Sequence, residues 1–160
     1  MWTIAIRQVL LWTLVCGLVY PLLVTGLVQT MMPAQHPELV GQAFARKDYF
    51  WGRPSAASYN PASSSGTNFG PHEAKREEQT DRFPADAPAV LRYASGSGLD
   101  PDITPEAALY QVPRVAQARG LAPARVEELV RAQVRGKTFG ILGHERVNVA
   151  ELNRALDGLK

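Results

Sequence analysis

The run from Gln8 to Met32 contains no charged residue, and it constrains the chain more than any other feature. A helix that crosses the hydrocarbon core of a bilayer needs roughly 20 apolar residues. A buried helix of a water-soluble domain would show a polar face, which this run lacks. Pro21 lies near its middle and should kink the helix, a feature that membrane helices tolerate. We therefore predict one transmembrane helix over residues 8–32.

A cleaved signal peptide is the competing interpretation of this run. Signal peptides have apolar cores of about 7–15 residues followed by a small-residue cleavage site. The run here is longer, and residues 30–34 (TMMPA) offer no convincing site. Arg7 precedes the run, whereas the next basic residue after it is Arg46. The positive-inside rule then places the amino terminus in the cytoplasm and residues 34–160 outside.

Residues 34–160 have the size of one domain. The chain carries 17 basic and 15 acidic side chains, a balance that lacks the basic surplus of nucleic-acid-binding proteins. Its one cysteine, Cys16, lies within the apolar run, so neither an intrachain disulfide nor a cysteine-based metal site can form. The three histidines lack the spacing of metal ligands. We expect no bound metal and no nucleic acid.

Three helices are predicted in the last third of the chain. Thr104 is a suitable N-cap before Pro105, and Gly120 would end that helix. A second helix spans 124–135 and ends at Gly136, and Asn148 caps a third. Aromatic residues at 49–51 and the run AVLRY at 89–93 suit strands. The predicted fold is an α+β domain, with a β-containing front half and about three short C-terminal helices, behind the transmembrane helix.

No motif specifies a catalytic site. Gly136, Lys137 and Thr138 match the end of a phosphate-binding loop, but Arg131 stands where its first glycine is needed. A G-x-S-x-G nucleophile elbow is absent from the sequence. If the chain were nevertheless a tethered serine hydrolase, Ser95 or Ser97 would be the candidate nucleophile. We predict a module without catalytic residues.

Two groups of residues are candidates for binding. An arginine held between a glycine and a proline, beside a tryptophan, could stack on the ring or pair with a carboxylate, as a structural clamp or as a partner contact. The loop at 94–104 could bind a cation or simply turn the chain. The residues concerned are Tyr49, Phe50, Trp51 and Arg53 for partner contact, and Asp100 and Asp102 for cation attraction.

Six sequence blocks, in order behind the apolar run, resemble the small C subunit of the Kdp-type potassium-transporting P-type ATPase. The most specific is YFWGRPSA at 49–56. The others are LVGQAF at 39–44, YNPASSSGTNFGP at 59–71, ASGSGLDPDITPEAA at 94–108, YQVPRVAQARGL at 110–121 and RVNVAELNRALDGL at 146–159. Departures from the family pattern, such as Ser65, Phe69 and GHER at 143–146, fall in predicted loops.

The resemblance implies a subunit of a complex in the bacterial inner membrane. Its partners would be a channel-like potassium-binding subunit and an ATP-hydrolysing P-type subunit, so ATP and potassium would be handled by the complex. The chain would have no catalytic site and no cofactor of its own, and it would act as a catalytic chaperone that raises the ATP affinity of the hydrolysing subunit.

We further expect the transmembrane helix to contact lipid and to pack against the channel-like subunit at Gly17, Thr25 and Gly26. The domain would then cover the external potassium entrance. An independent membrane-anchored binding protein and the tethered serine hydrolase are the alternatives.

Overall fold

The computed structural model describes residues 2–31, 39–70 and 82–159. The chain divides into two compact units, Met1–His36 and Pro37–Lys160.

The first unit is one long apolar helix. It comprises α1 (Trp2–Leu14), a π-helical turn (Val15–Val19) and α2 (Tyr20–Met31). This helix is long and apolar enough to cross a membrane, and none of its residues is buried. It begins earlier than the predicted Gln8, and Met32 lies outside the described residues.

The π turn directly precedes Pro21, where we predicted a kink. Proline has no N–H, and its ring would crowd the carbonyl four residues earlier, which belongs to Gly17. The Tyr20 N–H donates to the Val15 carbonyl, five residues back, so this turn is wider than an α-helical one. The wider turn is the local adjustment by which the helix accommodates the proline.

The second unit confirms the α+β class. Its elements are α3 (Ala89–Arg92), β1 (Asp102–Ile103), α4 (Pro105–Arg119), α5 (Pro123–Ala132), β2 (Val147–Asn148) and α6 (Val149–Asp157). The two strands are antiparallel, with Asp102 opposite Asn148 and Ile103 opposite Val147.

The strands lie elsewhere than the sequence suggested. Residues 39–70 contain no strand, and the prediction of a strand at 89–93 is wrong, because this run forms the helical turn α3. Pro88 starts the turn, and its carbonyl accepts from the Leu91 N–H at 2.9 Å. Leu91 is the buried residue of α3, so a single helical turn is enough to place it in the core.

Helices α4 and α6 begin at the predicted caps. The Thr104 hydroxyl accepts from the Ala107 N–H at 3.2 Å, and Asn148 Oδ1 accepts from the Glu151 N–H at 3.1 Å. Gly120 ends α4 with a left-handed φ of 66°. Helix α5 ends before the predicted Gly136, because Arg135 already pairs with Arg146 through backbone hydrogen bonds.

The core of the second unit lies where the three longer helices pack together, and α3 and the 39–70 segment add to it. Its largest fully buried apolar side chains are Phe50, Leu91, Val115, Val126, Val130, Val147, Leu152 and Leu156.

The 39–70 segment is held against the 94–100 loop by backbone contacts. The Gly41 N–H donates to the Leu99 carbonyl at 2.8 Å, and the Ser65 N–H donates to the Ser97 carbonyl at 3.0 Å. At Gly98, which has a φ of 68°, a Cβ would lie 2.7 Å from the Ser65 carbonyl oxygen and 2.8 Å from the Ala57 Cβ. The two loops therefore need glycine at this position.

We predict that Gly98→Ala lowers the free energy of unfolding of the second unit by about 2–4 kcal/mol, since it adds both left-handed strain and steric overlap. Urea unfolding of the full chain in detergent measures this. A Trp2→Phe, Trp12→Phe background leaves Trp51 as the fluorescent reporter. Gly136→Ala is the matched control, because a Cβ there meets nothing within 4 Å. Equal stability of the two variants would contradict the prediction.

Candidate functional site: the aromatic block and the adjoining acidic cleft

Two side-chain amides hold the backbone of the aromatic block, the name we use for residues 49–51. Asn153 accepts from the Phe50 N–H at 2.8 Å and donates to the Phe50 carbonyl at 3.0 Å. Gln111 accepts from the Trp51 N–H at 2.9 Å and donates to the Trp51 carbonyl at 3.0 Å. Both amides are buried. We call these four hydrogen bonds the amide clamp. They give the backbone N–H and carbonyl groups of an extended segment the partners that a neighbouring strand would supply.

Arginines cover the ring of Trp51. The Arg114 guanidinium carbon lies 3.8 Å from the ring centroid, and that of Arg82 lies 4.7 Å from it. Arg114 also donates to the backbone carbonyls of Lys47 and Tyr49. Its burial, with a smaller contribution from the charge of Arg82, lowers the pKa of Arg114 to about 10. The group stays protonated at neutral pH, and the stack is a cation–π contact.

Tyr49 is enclosed in a similar way. The Arg119 guanidinium carbon lies 4.7 Å from its ring centroid. Arg119 is in turn fixed by Asp157, at 2.7 Å, and by the Asp48 carbonyl, at 2.8 Å. The Tyr49 hydroxyl donates to Asp157 at 3.2 Å. This group ties the segment before the aromatic block to both α4 and α6.

The structure corrects one of the expected partner contacts. Phe50 is 0% exposed and belongs to the core, so it cannot touch another subunit. Tyr49 and Trp51 are half-buried beneath arginines of the same chain. Of the two interpretations of this block, the geometry supports the structural clamp. A partner contact by Tyr49, Trp51 or Arg53 stays a prediction.

Arg53 connects the block to a cleft of about 380 Å³ that contains both candidate aspartates. Arg53 pairs with Asp100 at 3.0 Å, and Arg146 pairs with Asp102 at 3.3 Å. Burial, and then the neighbouring Asp100, raise the pKa of Asp102. Each of these two carboxylates thus has an arginine partner, which offsets the negative charge that a cation would need, while Glu145 also lines the cleft. Cation attraction by this pair stays a prediction.

The two candidate nucleophiles, Ser95 and Ser97, form hydrogen bonds that hold the 94–100 loop and its neighbours together. Ser95 is 3% exposed, and its N–H donates to the Pro54 carbonyl at 3.1 Å. The Ser97 hydroxyl accepts from the Leu99 N–H at 3.1 Å, and the Ser97 carbonyl accepts from Ser64 and Ser65.

Among the residues that the structure describes, no group of three histidine, cysteine or acidic side chains is placed to hold a metal.

The two glycines of the first unit lie on different faces of the helix. Gly17 and Gly26 are nine positions apart, about two and a half turns of regular helix. A Cβ at Gly17 would meet only Thr13, at 4.0 Å, and one at Gly26 would meet nothing within 4 Å. Thr25 is exposed beside Gly26.

Sequence reasoning missed the residues that organise this site, namely Gln111, Arg114, Arg119 and Asn153. A signal for two of them was present. Gln111 lies one helical turn from both Ala107 and Val115, and Asn153 lies one turn from both Val149 and Leu156, so each is a polar residue on the apolar side of a helix. A buried amide must find hydrogen-bond partners, although the sequence does not say which.

Among the described residues, one helix is long and apolar enough to cross a membrane, and a small α+β unit follows it in the sequence, an architecture typical of membrane-anchored proteins. The sequence model of the family described as "K+-transporting ATPase, c chain" (KdpC) matches residues 2–158. A potassium-transporting ATPase KdpC subunit from Rhodopseudomonas palustris is 44% identical, with 91% of this chain and 90% of that protein covered. The KdpC subunit from Methylococcus capsulatus is 43% identical, with 98% and 96% covered.

The chain therefore belongs to the KdpC family, the c chains of potassium-transporting ATPases. The resemblance identified in the sequence is confirmed, and the relatives are named as subunits of potassium-transporting ATPases.

The amide clamp can be tested by removing one amide. We predict that Asn153→Leu lowers the free energy of unfolding by about 1–3 kcal/mol for each backbone group of Phe50 that is left unsatisfied. Urea unfolding reported by Trp51 measures this. Asn60→Leu is the matched control, because its side chain accepts a hydrogen bond only in an exposed turn. If both variants lost the same small amount of stability, the clamp would not be a main support.

Proposed function

We propose that this chain is a non-catalytic accessory subunit that assembles and stabilises a potassium-uptake complex. One observation carries the proposal: the long apolar helix has no buried residue, whereas the second unit has a buried core of its own, to which Phe50 belongs. A helix with an uncovered apolar surface needs lipid or other transmembrane helices around it. The second unit has its own core, as expected of a module that docks as a folded body.

The partners we propose are a channel-like potassium-binding subunit and an ATP-hydrolysing P-type subunit. The glycines support close approach by a transmembrane helix, since neither Gly17 nor Gly26 is required by packing within this chain. Glycine costs about 1 kcal/mol relative to alanine inside a helix, so a glycine without an internal reason favours an external one. Because the two glycines lie on different faces, we propose that Gly17 and Gly26 meet different neighbours.

The proposed effect on ATP is indirect. With the amino terminus in the cytoplasm, the second unit lies outside the cell and near the external potassium entrance, across the membrane from cytoplasmic ATP. A catalytic chaperone in that position raises the ATP affinity of the hydrolysing subunit by stabilising one state of the assembly, which is an allosteric coupling and not a contact with nucleotide.

No observation favours the serine hydrolase. Ser95 is buried, and the backbone and hydroxyl of Ser97 support the loop at 64–66 and the turn to Leu99. An independent binding protein is disfavoured by the family, whose members are named as subunits of an ATPase.

Cysteine labelling tests the orientation. In a Cys16→Ala background the chain has no other cysteine, so Ala124→Cys on exposed α5 and Thr3→Cys near the amino terminus become single reporters. We predict that a membrane-impermeant maleimide labels position 124 but not position 3 in intact spheroplasts, and both after permeabilisation.

The reverse pattern of labelling would place the second unit in the cytoplasm. The role at the external entrance would then be wrong, and direct action on nucleotide would replace the proposed coupling. Purification of the wild-type complex through a tag on another subunit tests membership separately, and the chain should be recovered in that preparation.

A further inference from the structure

The chain at 135–146 forms a short hairpin. Arg135 and Arg146 exchange two backbone hydrogen bonds of 2.8 and 3.0 Å, and Thr138 and Leu142 exchange two of 2.9 and 3.0 Å. At the turn, Phe139 and Gly140 both have left-handed φ angles, of 54° and 76°. We call Phe139, Ile141 and Leu142 the hairpin tip.

The hairpin tip is apolar and open to solvent. Phe139 is 89% exposed, Ile141 78% and Leu142 57%. Outside the N-terminal helix, Leu39 is the one other large apolar side chain that is exposed among the described residues. Three such side chains on one turn do not contribute to the core of this unit. Exposed apolar clusters of this kind mark surfaces that another molecule covers.

The backbone of the tip argues for a shaped receptor. A left-handed φ is unfavourable for phenylalanine, and such conformations persist where they serve a function. The backbone hydrogen bonds from Thr138 fix the turn on both sides. A lipid surface would accept a loop of any shape, whereas a protein pocket requires one shape. The fixed turn therefore favours protein over lipid.

The charge next to the tip indicates the chemistry of that receptor. From Arg131 to Arg146 the sequence has four basic residues and one acidic residue. Arg135 pairs with Glu151 and Arg146 with Asp102, so ion pairs hold the base of the hairpin and offset both of these charges. Lys137 is exposed directly beside the tip. The complementary surface is an apolar pocket with an acidic rim.

We propose that the hairpin tip inserts into an apolar, acid-rimmed pocket on a neighbouring protein subunit of the transport complex, with Phe139 as the central contact. This inference rests on the proposed accessory role, but not on the proposed orientation. The sequence alone led us to expect the partner contact at the aromatic block. This inference assigns a partner contact to the hairpin tip, which is far from that block in the sequence.

The test is assembly of the complex with full-length variants, purified through a tag on another subunit. Phe139→Ser should reduce recovery of this chain about tenfold, and Lys137→Glu several-fold, as expected for a central contact and a charged rim. Phe139→Leu should retain most of the recovery. Leu39→Ser, the same kind of change at the other exposed apolar residue, should leave recovery unchanged. All three positions are exposed, so the unfolding curves of the four variants should stay close to that of the wild type.

A photo-crosslinking amino acid at position 139 identifies what covers the tip. An adduct with another subunit supports the proposal. Adducts with lipid alone, or unchanged recovery of Phe139→Ser, would overturn it while leaving the accessory role intact. If the wild-type chain itself failed to co-purify, the accessory role would fail and the pocket with it.

Discussion

The second unit depends on an extended segment that is paired without a sheet. The backbone N–H and carbonyl groups of Phe50 and Trp51 lie against α4 and α6, where the described residues offer no strand to form hydrogen bonds with them. Buried backbone groups without partners would each cost on the order of 1–3 kcal/mol. Gln111 and Asn153 supply those partners, one from each helix. The front segment is thereby joined to the C-terminal helices, which are far away in sequence.

This constraint explains the arginines around the aromatic block. Once the amide clamp fixes the backbone, the rings of Tyr49 and Trp51 project beside it, and Arg114 and Arg119 of α4 lie over them. Arg114 also donates to two carbonyls of the same segment, so it supports both backbone and ring. An aromatic and arginine-rich motif is typical of binding surfaces, yet here the same chemistry is used internally. The exposed apolar cluster of the second unit is instead the hairpin tip around Phe139.

Much of the helical part could be predicted from local sequence. The caps at Thr104 and Asn148 and the end at Gly120 depend on hydrogen bonds and φ angles within a few residues, and all three are confirmed. The apolar N-terminal helix was equally visible. The strand predicted at 89–93 is wrong because so short an apolar run, three residues before Arg92, is compatible with either structure, and burial of Leu91 decides between them. The amide clamp was not predictable, since it joins Phe50 to Asn153 across 103 positions.

The internal contacts of the candidate site were predictable only in part. An arginine held between a glycine and a proline could be expected to pair with a carboxylate, and Arg53 pairs with Asp100, but composition does not reveal which side chains are buried. A partner contact at the exposed part of this block stays a prediction. The exposure of the hairpin tip at Phe139 was not predicted, because an apolar loop interrupted by glycines resembles an ordinary connection.

Native-state hydrogen exchange of the full-length chain tests the amide clamp most directly. The amides of Phe50 and Trp51 should exchange as slowly as that of Val115 in the core helix α4. Exchange as fast as that of Ala62, whose N–H is bonded only in an exposed turn, would contradict the clamp as the support of this fold.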